Sequence, residues 1–330
     1  MRIAKWDNAK FLLIFFVVLG HVANAFETPS AFLEGITYFI YIFHMPAFLF
    51  LSGLLAKRTI DARAYEKTLP YLVLYIFMKI FRFLVYRFAL GKNPGFNLLS
   101  EDGVPWFALT LFFCYLITMC VRNWNPVYAM TVFVILGIMA GYDKDLGSFL
   151  TGMRLLTLYP FFLAGYYFEP EKIRKLSANK WCKAVSAVII LAVAAYSFLS
   201  ENKIRMGFLK GKTTYEALDM MTYGGLYRGV YYVAVTLIVL SILVWIPEKD
   251  SIFARFGKRS IQVYALHYPI VKVLEEVFHV EQFLARIWPS HYALLAPVLA
   301  FVLTIVLSLG IWEPAFKLIM NPGKRLEDKR

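Results

Sequence analysis

Apolar residues gather along this chain in ten blocks, near 8–26, 35–56, 69–90, 105–121, 127–141, 152–168, 182–199, 227–246, 259–278 and 293–312. The blocks are about 15–22 residues long, the length of an α-helix crossing a hydrocarbon layer. Strands of a membrane barrel are shorter, about 9–11 residues, and alternate apolar with polar positions. No such alternation is present, so the pattern predicts helices. Charged connecting segments separate the blocks, the longest at 200–226 with Lys203, Arg205, Lys210 and Lys212. There is no internal repeat and no low-complexity stretch. The expected fold is all-α, a polytopic transmembrane helical bundle of about ten helices.

Composition supports lipid as the second solvent. Hydrophobic residues make up 60% of the 330 and aromatic residues 18%; a soluble domain is about 45–50% apolar. One globular core could not hide so much apolar surface. In hydrocarbon every backbone group must find its partner within the protein, which helices achieve.

The formal charge of +13 could suggest a nucleic-acid partner. The distribution argues against one: basic residues fall in alternate connecting segments, and no basic stripe is interleaved with aromatics. With the N-terminus inside, 22 basic residues lie on the inner side and 8 on the outer. The inner set includes Arg2, Lys5, Lys10, Lys57, Arg58, Arg63 and Lys67 near the start, and Lys317, Lys324, Arg325, Lys329 and Arg330 in the tail. This bias predicts cytoplasmic N- and C-termini; the expected location is the cell (inner) membrane, as a multi-pass protein. Cys114, Cys120 and Cys182 lack metal or disulfide spacing and read as packing residues; no metal is expected. The apolar run Phe11–Gly20 followed by Ala23-Asn24-Ala25 has the look of a cleavable signal peptide. However, polar positions 7, 10 and 21 share one helical stripe, which favours a retained span.

Ionisable groups within a bilayer are costly, so each is a functional hypothesis. Lys10 and His21 are eleven residues apart, about 20° around a helix and roughly 16 Å along it. They share a face but cannot touch. An elongated ligand, anionic at one end and reactive at the other, would span them, and acyl-coenzyme A has that form. An ammonium suits phosphate; an imidazole suits proton removal near neutral pH. Asp7 lies about 21 Å from His21, so it is expected to pair with Lys10 instead. His44 in the second helix is placed about one turn from His21 in depth, where two antiparallel neighbours could present both rings to one site. Pro46 frees a backbone carbonyl beside it, and Ser52-Gly53 reads as a close-packing step. Lys79 and Arg82, deep in the third helix, need anionic company. His267 sits mid-span with Ser260 and Tyr264 on its stripe. His279 and His291 flank an outer loop and read as ordinary surface histidines.

Trp6-Asp7-Asn8-Ala9-Lys10 through Val17-Val18-Leu19-Gly20-His21 resembles the first helix of the acyltransferase-3 membrane family, especially its fucose 4-O-acetylase-like branch. There a basic residue, ten intervening residues and a histidine recur. Phe43-His44-Met45-Pro46 with Phe48, Phe50, Ser52 and Gly53 resembles the second-helix signature. Pro105-Trp106-Phe107, the run from Tyr159 to Tyr166, and the run from Ser260 to His267 resemble later landmarks. The resemblance implies a single transmembrane acyltransferase domain over 1–330 that moves an acyl group from acyl-coenzyme A, commonly acetyl-CoA, on the cytoplasmic side. The acceptor would be a hydroxyl of a cell-surface glycan or its lipid-linked precursor. His21 would carry the family's catalytic histidine, with His44 beside the chemistry. Lys10, Lys67, Lys79 and Arg82 would serve the donor, and Trp106 and His267 the acceptor. One departure stands out. The family often has two basic residues three apart before the third helix, but position 64 is Ala and Arg63 is one residue out of step.

Carbohydrate or glycolipid, acyl-CoA and the lipid bilayer are thus the expected partners, with no nucleic acid. The expected chemistry is O-acyl transfer with His21 as general base, directly or through an acyl-histidine. A rival class is a transporter or flippase for a lipid-linked sugar, with the same His, Lys and Arg residues as substrate or proton path. Labelled acetyl-CoA separates the two, since a transporter would transfer no acetyl group. A scaffold or sensor derived from an enzyme is a third reading.

Overall fold

The computed structural model describes residues 4–26, 28–201 and 203–320. Arg2, Lys324, Arg325, Lys329 and Arg330, which contribute to the charge bias, lie outside the described residues. In chain order the helices are α1 (Ala4–Asn24), α2 (Ala31–Asp61), α3 (Leu69–Leu84, continued by a π-turn Val85–Ala89), α4 (Trp106–Val121), α5 (Pro126–Met139), α6 (Gly152–Tyr167), α7 (Pro170–Ala178), α8 (Lys180–Leu199), α9 (Met206–Leu209), α10 (Gly224–Trp245), α11 (Ile252–Gly257), α12 (Ser260–Glu276), α13 (Val280–Ile287), α14 (Ala296–Leu307) and α15 (Glu313–Met320).

Each of the ten apolar blocks contains a helix. Five helical segments are long and apolar enough to cross a membrane alone: Ala4–Asn24, Ala31–Asp61, Tyr65–Ala89, Lys180–Leu199 and Gly224–Trp245. A sixth follows if the bent pair Val280–Ile287 and Tyr292–Leu307 counts as one span. The rest are shorter, including Trp106–Val121 and Pro126–Tyr142. Short α7, α9, α11, α13 and α15 fall in segments expected to be connections. Local chemistry sets several starts. Asn125 accepts from the Val127 and Tyr128 amides with Pro126 next, Asn179 accepts from Trp181 and Cys182, and Ser251 accepts from Ala254.

The helices form two compact units, Met1–Ile40 with Leu69–Leu98 and Pro247–Arg330, and Tyr41–Thr68 with Leu99–Ile246. The division falls inside α2.

In the first unit α1 is the central element, packed against α11, α12 and α14. Leu13, Ile14, Val17 and Val18 are buried, and so are the polar residues of its first turns. Lys5 pairs with Glu248 at 3.7 Å. The Asn8 amide donates to the Pro247 and Lys249 carbonyls, both at 3.0 Å, and its oxygen accepts from Ser251 Oγ at 2.6 Å. These bonds satisfy groups that would be costly to bury bare. Gly257 is needed where α11 meets α1, because a Cβ there would stand 1.9 Å from the Asp7 carbonyl oxygen.

In the second unit the C-terminal part of α2 crosses α6 at a reciprocal pair of glycines. A Cβ on Gly53 would lie 2.0 Å from the Phe162 carbonyl oxygen, and one on Gly165 would lie 2.0 Å from that of Phe50. The expected close-packing step at Gly53 is present. The segments leading into α4 and α6 pair through a short bridge, Glu101 N to Ser148 O and Leu150 N to Leu99 O, both 2.7 Å. The 200–226 connection joins the same end, with Tyr215 N donating to Gly141 O at 2.7 Å. Three alternate connections thus share one end of this unit. Trp181, Val188 and Leu199 on α8 are exposed at 81%, 65% and 79%, an apolar surface suited to lipid.

Candidate active site

Helix α1 runs unbroken from Ala4 to Asn24, so Lys10 and His21 sit on one rigid rod, roughly 16 Å apart. Lys10 Nζ lies 3.3 Å from Asp7 Oδ1, the i, i+3 pairing expected from sequence. Asp7 itself is buried.

At the other end of α1, His21 is half-buried and meets two rings of α12. The His267 imidazole centroid is 5.2 Å away and the Tyr268 ring 5.0 Å. His267 is fully buried. Its Nδ1 lies 3.0 Å from the Val263 carbonyl and 2.9 Å from that of Tyr264. Carbonyls only accept, so Nδ1 carries the proton and Nε2 the lone pair. That Nε2 is buried without a hydrogen-bond partner among the described residues. Pro269, two residues on, lies within the helix.

Tyr268 extends the polar line towards α3. Its hydroxyl interacts with Tyr86, and the charge of Arg82 is close by. The Arg82 guanidinium stacks 4.5 Å over the Tyr86 ring. Lys79, one turn earlier and buried, stands 5.9 Å over Tyr75. Rings, which attract cations through their quadrupole, thus supply part of the company these residues require. The first unit therefore gathers His21, His267, Tyr268, Tyr86 and Arg82 in one continuous series.

The other expected site residues belong to the second unit. His44 is buried on α2 against the Tyr41 ring, 5.0 Å away and edge-on. Lys67 is exposed in the 3-10 turn Tyr65–Lys67. Arg63, the residue out of step, adopts φ +49° just before this turn. Trp106 opens α4 and is buried beneath the Arg154 guanidinium at 4.2 Å. Arg154 in turn pairs with Glu101 at 2.8 Å. Among the described residues no group of three or more His, Cys, Asp or Glu side chains could hold a metal ion.

Sequence reading missed Tyr268 and Tyr86, which carry no charge to draw attention. It also passed over Arg228, an arginine inside the eighth block. Arg228 is 1% exposed, donates to the Phe208 carbonyl at 3.0 Å and lies 3.8 Å over the Phe208 ring. A charge within an apolar block was the available signal.

The nodulation protein NolL of Sinorhizobium fredii (strain NGR234) is 25% identical over 212 residues, covering 60% of this chain and 57% of that protein. The chain thus spans less than two thirds of the length of this relative. No solved structure matches the chain significantly. The acyltransferase-domain model of the acyltransferase-3 family matches residues 3–313. That match takes in nearly all of the helices described above, and the chain belongs to the acyltransferase-3 family of membrane acyltransferases.

Proposed function

We propose that this protein is a membrane O-acyltransferase that moves an acetyl group from acetyl-CoA, taken on the cytoplasmic side, to a hydroxyl of a cell-surface glycan or its lipid-linked precursor. The observation that carries this reading is the His21–His267–Tyr268 cluster. A hydroxyl is a poor nucleophile until a base removes its proton as it attacks. His21 is half-buried against the His267 and Tyr268 rings, and a neutral imidazole there can act as that base. His267, with Nδ1 tied to backbone carbonyls, offers Nε2 only as an acceptor. It acts as a positioning residue: an N–H of His21 turned towards this vacant acceptor when substrate binds would leave the other His21 nitrogen basic and facing the acceptor hydroxyl. Lys10 holds the donor phosphates as a point charge, exchanging Asp7 for phosphate oxygens, and Lys79 and Arg82 contribute further cations.

In the transfer itself, the acceptor oxygen bonds to the thioester carbonyl carbon and its proton passes to His21. Collapse of the tetrahedral intermediate breaks the C–S bond, and coenzyme A leaves as the thiol after taking the proton back.

The test is His21→Ala in purified protein, with labelled acetyl-CoA and the glycan fraction of the host membrane. Loss of a positioned base typically costs about 10²- to 10⁴-fold. The variant should lose transfer by that factor while keeping the parent's helical signal and thermal transition. Undiminished acetylation would remove His21 from the mechanism.

A further inference from the structure

The second unit holds a cluster of cations and rings, part of which the proposed reaction leaves unused. Lys210 lies in the 200–226 connection, just after α9. Hydrogen bonds fix its backbone on both sides: the Leu209 carbonyl accepts from Tyr231 Oη at 3.5 Å, and the Gly211 carbonyl accepts from Thr157 Oγ1 at 3.0 Å. Phe208 and Leu209 are buried. Lys210 is therefore held in place more firmly than an ordinary loop lysine.

Its ammonium stands 4.8 Å over the Tyr41 ring and has no ion-pair or hydrogen-bond partner among the described residues. The charges that act on it are those of Lys212 and Arg154, both positive. Burial first, then these like charges, pull its pKa below the usual lysine value. Arg154 is paired with Glu101 and lies over the Trp106 ring. Lys212 is exposed. Three cations thus act on one another here, Arg154 paired with Glu101 over the Trp106 ring and Lys210 over the Tyr41 ring.

A fixed, partly desolvated ammonium surrounded by like charge is stabilised by an anion, and aromatic faces stack on the apolar faces of sugar rings. We propose that Lys210, Lys212 and Arg154, with Trp106 and Tyr41, form a subsite for an anionic carbohydrate acceptor, binding its carboxylate or phosphate. This rests on the O-acyl transfer reading and names the acceptor class for it. Trp106 then contributes a platform through its ring, while the cations choose charged acceptors over neutral ones.

The test is binding without turnover, on the full chain in nanodiscs, followed by tryptophan fluorescence or calorimetry. The probes are a trigalacturonate, maltotriose as its neutral counterpart, inorganic diphosphate as a competitor, and coenzyme A. The variants are Lys210→Met, which keeps the alkyl stem, and Lys212→Gln, an exposed change that spares folding. The trigalacturonate should bind at least tenfold more tightly than maltotriose, and added salt should weaken it. Lys210→Met should weaken it about tenfold and Lys212→Gln severalfold, with coenzyme A affinity unchanged in both. Displacement by diphosphate at lower concentration than by free uronate would identify phosphate as the natural anion; the reverse order would identify carboxylate. Equal binding of charged and neutral oligosaccharides overturns the subsite. So does a loss confined to coenzyme A, which would assign these cations to the donor. The two readings fail separately. Lys210-dependent uronate binding without any acetyl transfer refutes the enzyme and keeps the site. Equal transfer to uronate-bearing glycans by parent and Lys210→Met refutes the site and keeps the enzyme.

Discussion

Replacing Gly53 with Ala tests the packing of the second unit most directly. The new Cβ would stand 2.0 Å from the Phe162 carbonyl oxygen and 2.9 Å from the Tyr166 nitrogen, whereas ordinary contact begins near 3.4 Å. Both neighbours are backbone atoms, so no rotamer change relieves the clash, and α2 and α6 must part by about 1.4 Å along that line. A radial gap of about 0.5–1 Å already forfeits a quarter to a half of a contact's attraction, and overpacking of this kind costs about 1–3 kcal/mol. Gly165→Ala meets the Phe50 carbonyl at the same 2.0 Å and should cost a similar amount. Once either methyl has separated the helices, the second finds the space already opened. The double variant should therefore cost clearly less than the two single changes together, by about 1 kcal/mol or more, as expected for sites sharing one backbone shift. Thermal and denaturant unfolding in one detergent, followed by circular dichroism, measures all three. Single variants within about 0.5 kcal/mol of the parent, or strict additivity, would refute the reciprocal crossing.

Arg228→Met keeps an unbranched stem but gives up the charged donor to the Phe208 carbonyl; the loss should be about 1.5–3 kcal/mol, read as a lower denaturant midpoint. Because Arg228 holds the buried Phe208, proteolysis within 203–215 should speed up in the same variant. Glu276→Gln removes the partner of Lys92. Lys92 has its pKa raised above 10.5, chiefly by its hydrogen bond to Glu276. A raised lysine pKa means the stabilisation is complete below pH 10.5 and fades only as pH climbs through the raised value. Between pH 6 and 9 the pair should add no slope to stability, and the variant's melting temperature should match the parent's, since exposed pairs contribute little. A pH-dependent difference in that interval would contradict the assignment.

The helices were legible because hydrocarbon imposes a length and a continuity that soluble packing does not. Every apolar block holds a helix, and the Lys10–Asp7 pair and the Gly53 step follow from spacing alone. The short elements were not legible. Ile252–Gly257 is a six-residue helix whose place depends on Asn8, Ser251 and Gly257, partners far apart in sequence. The candidate site was legible only in part. His21 and His267 each stood out as buried imidazoles, but their adjacency depends on how α1 meets α12, which periodicity does not encode. Tyr268 and Tyr86 look like ordinary interfacial tyrosines until α3 and α12 are seen to meet. Arg154 falls in the apolar block at 152–168, and its place over Trp106 requires the pairing of two connections.

The continuity of α1 makes it a molecular ruler. With the first turns clamped by Asn8 and Lys5 and the last turn set against α12, the interval between Lys10 and His21 follows from helical pitch. One residue inserted between them would swing His21 by about 100° and advance it by about 1.5 Å, pointing it away from His267 while changing neither side chain. A full-turn insertion of about four residues would nearly restore the direction but lengthen the interval by about 6 Å. On the proposed reaction, the register of this helix would measure out the reach from a phosphate end to a thioester end of the donor, and an insertion would change which donor length fits.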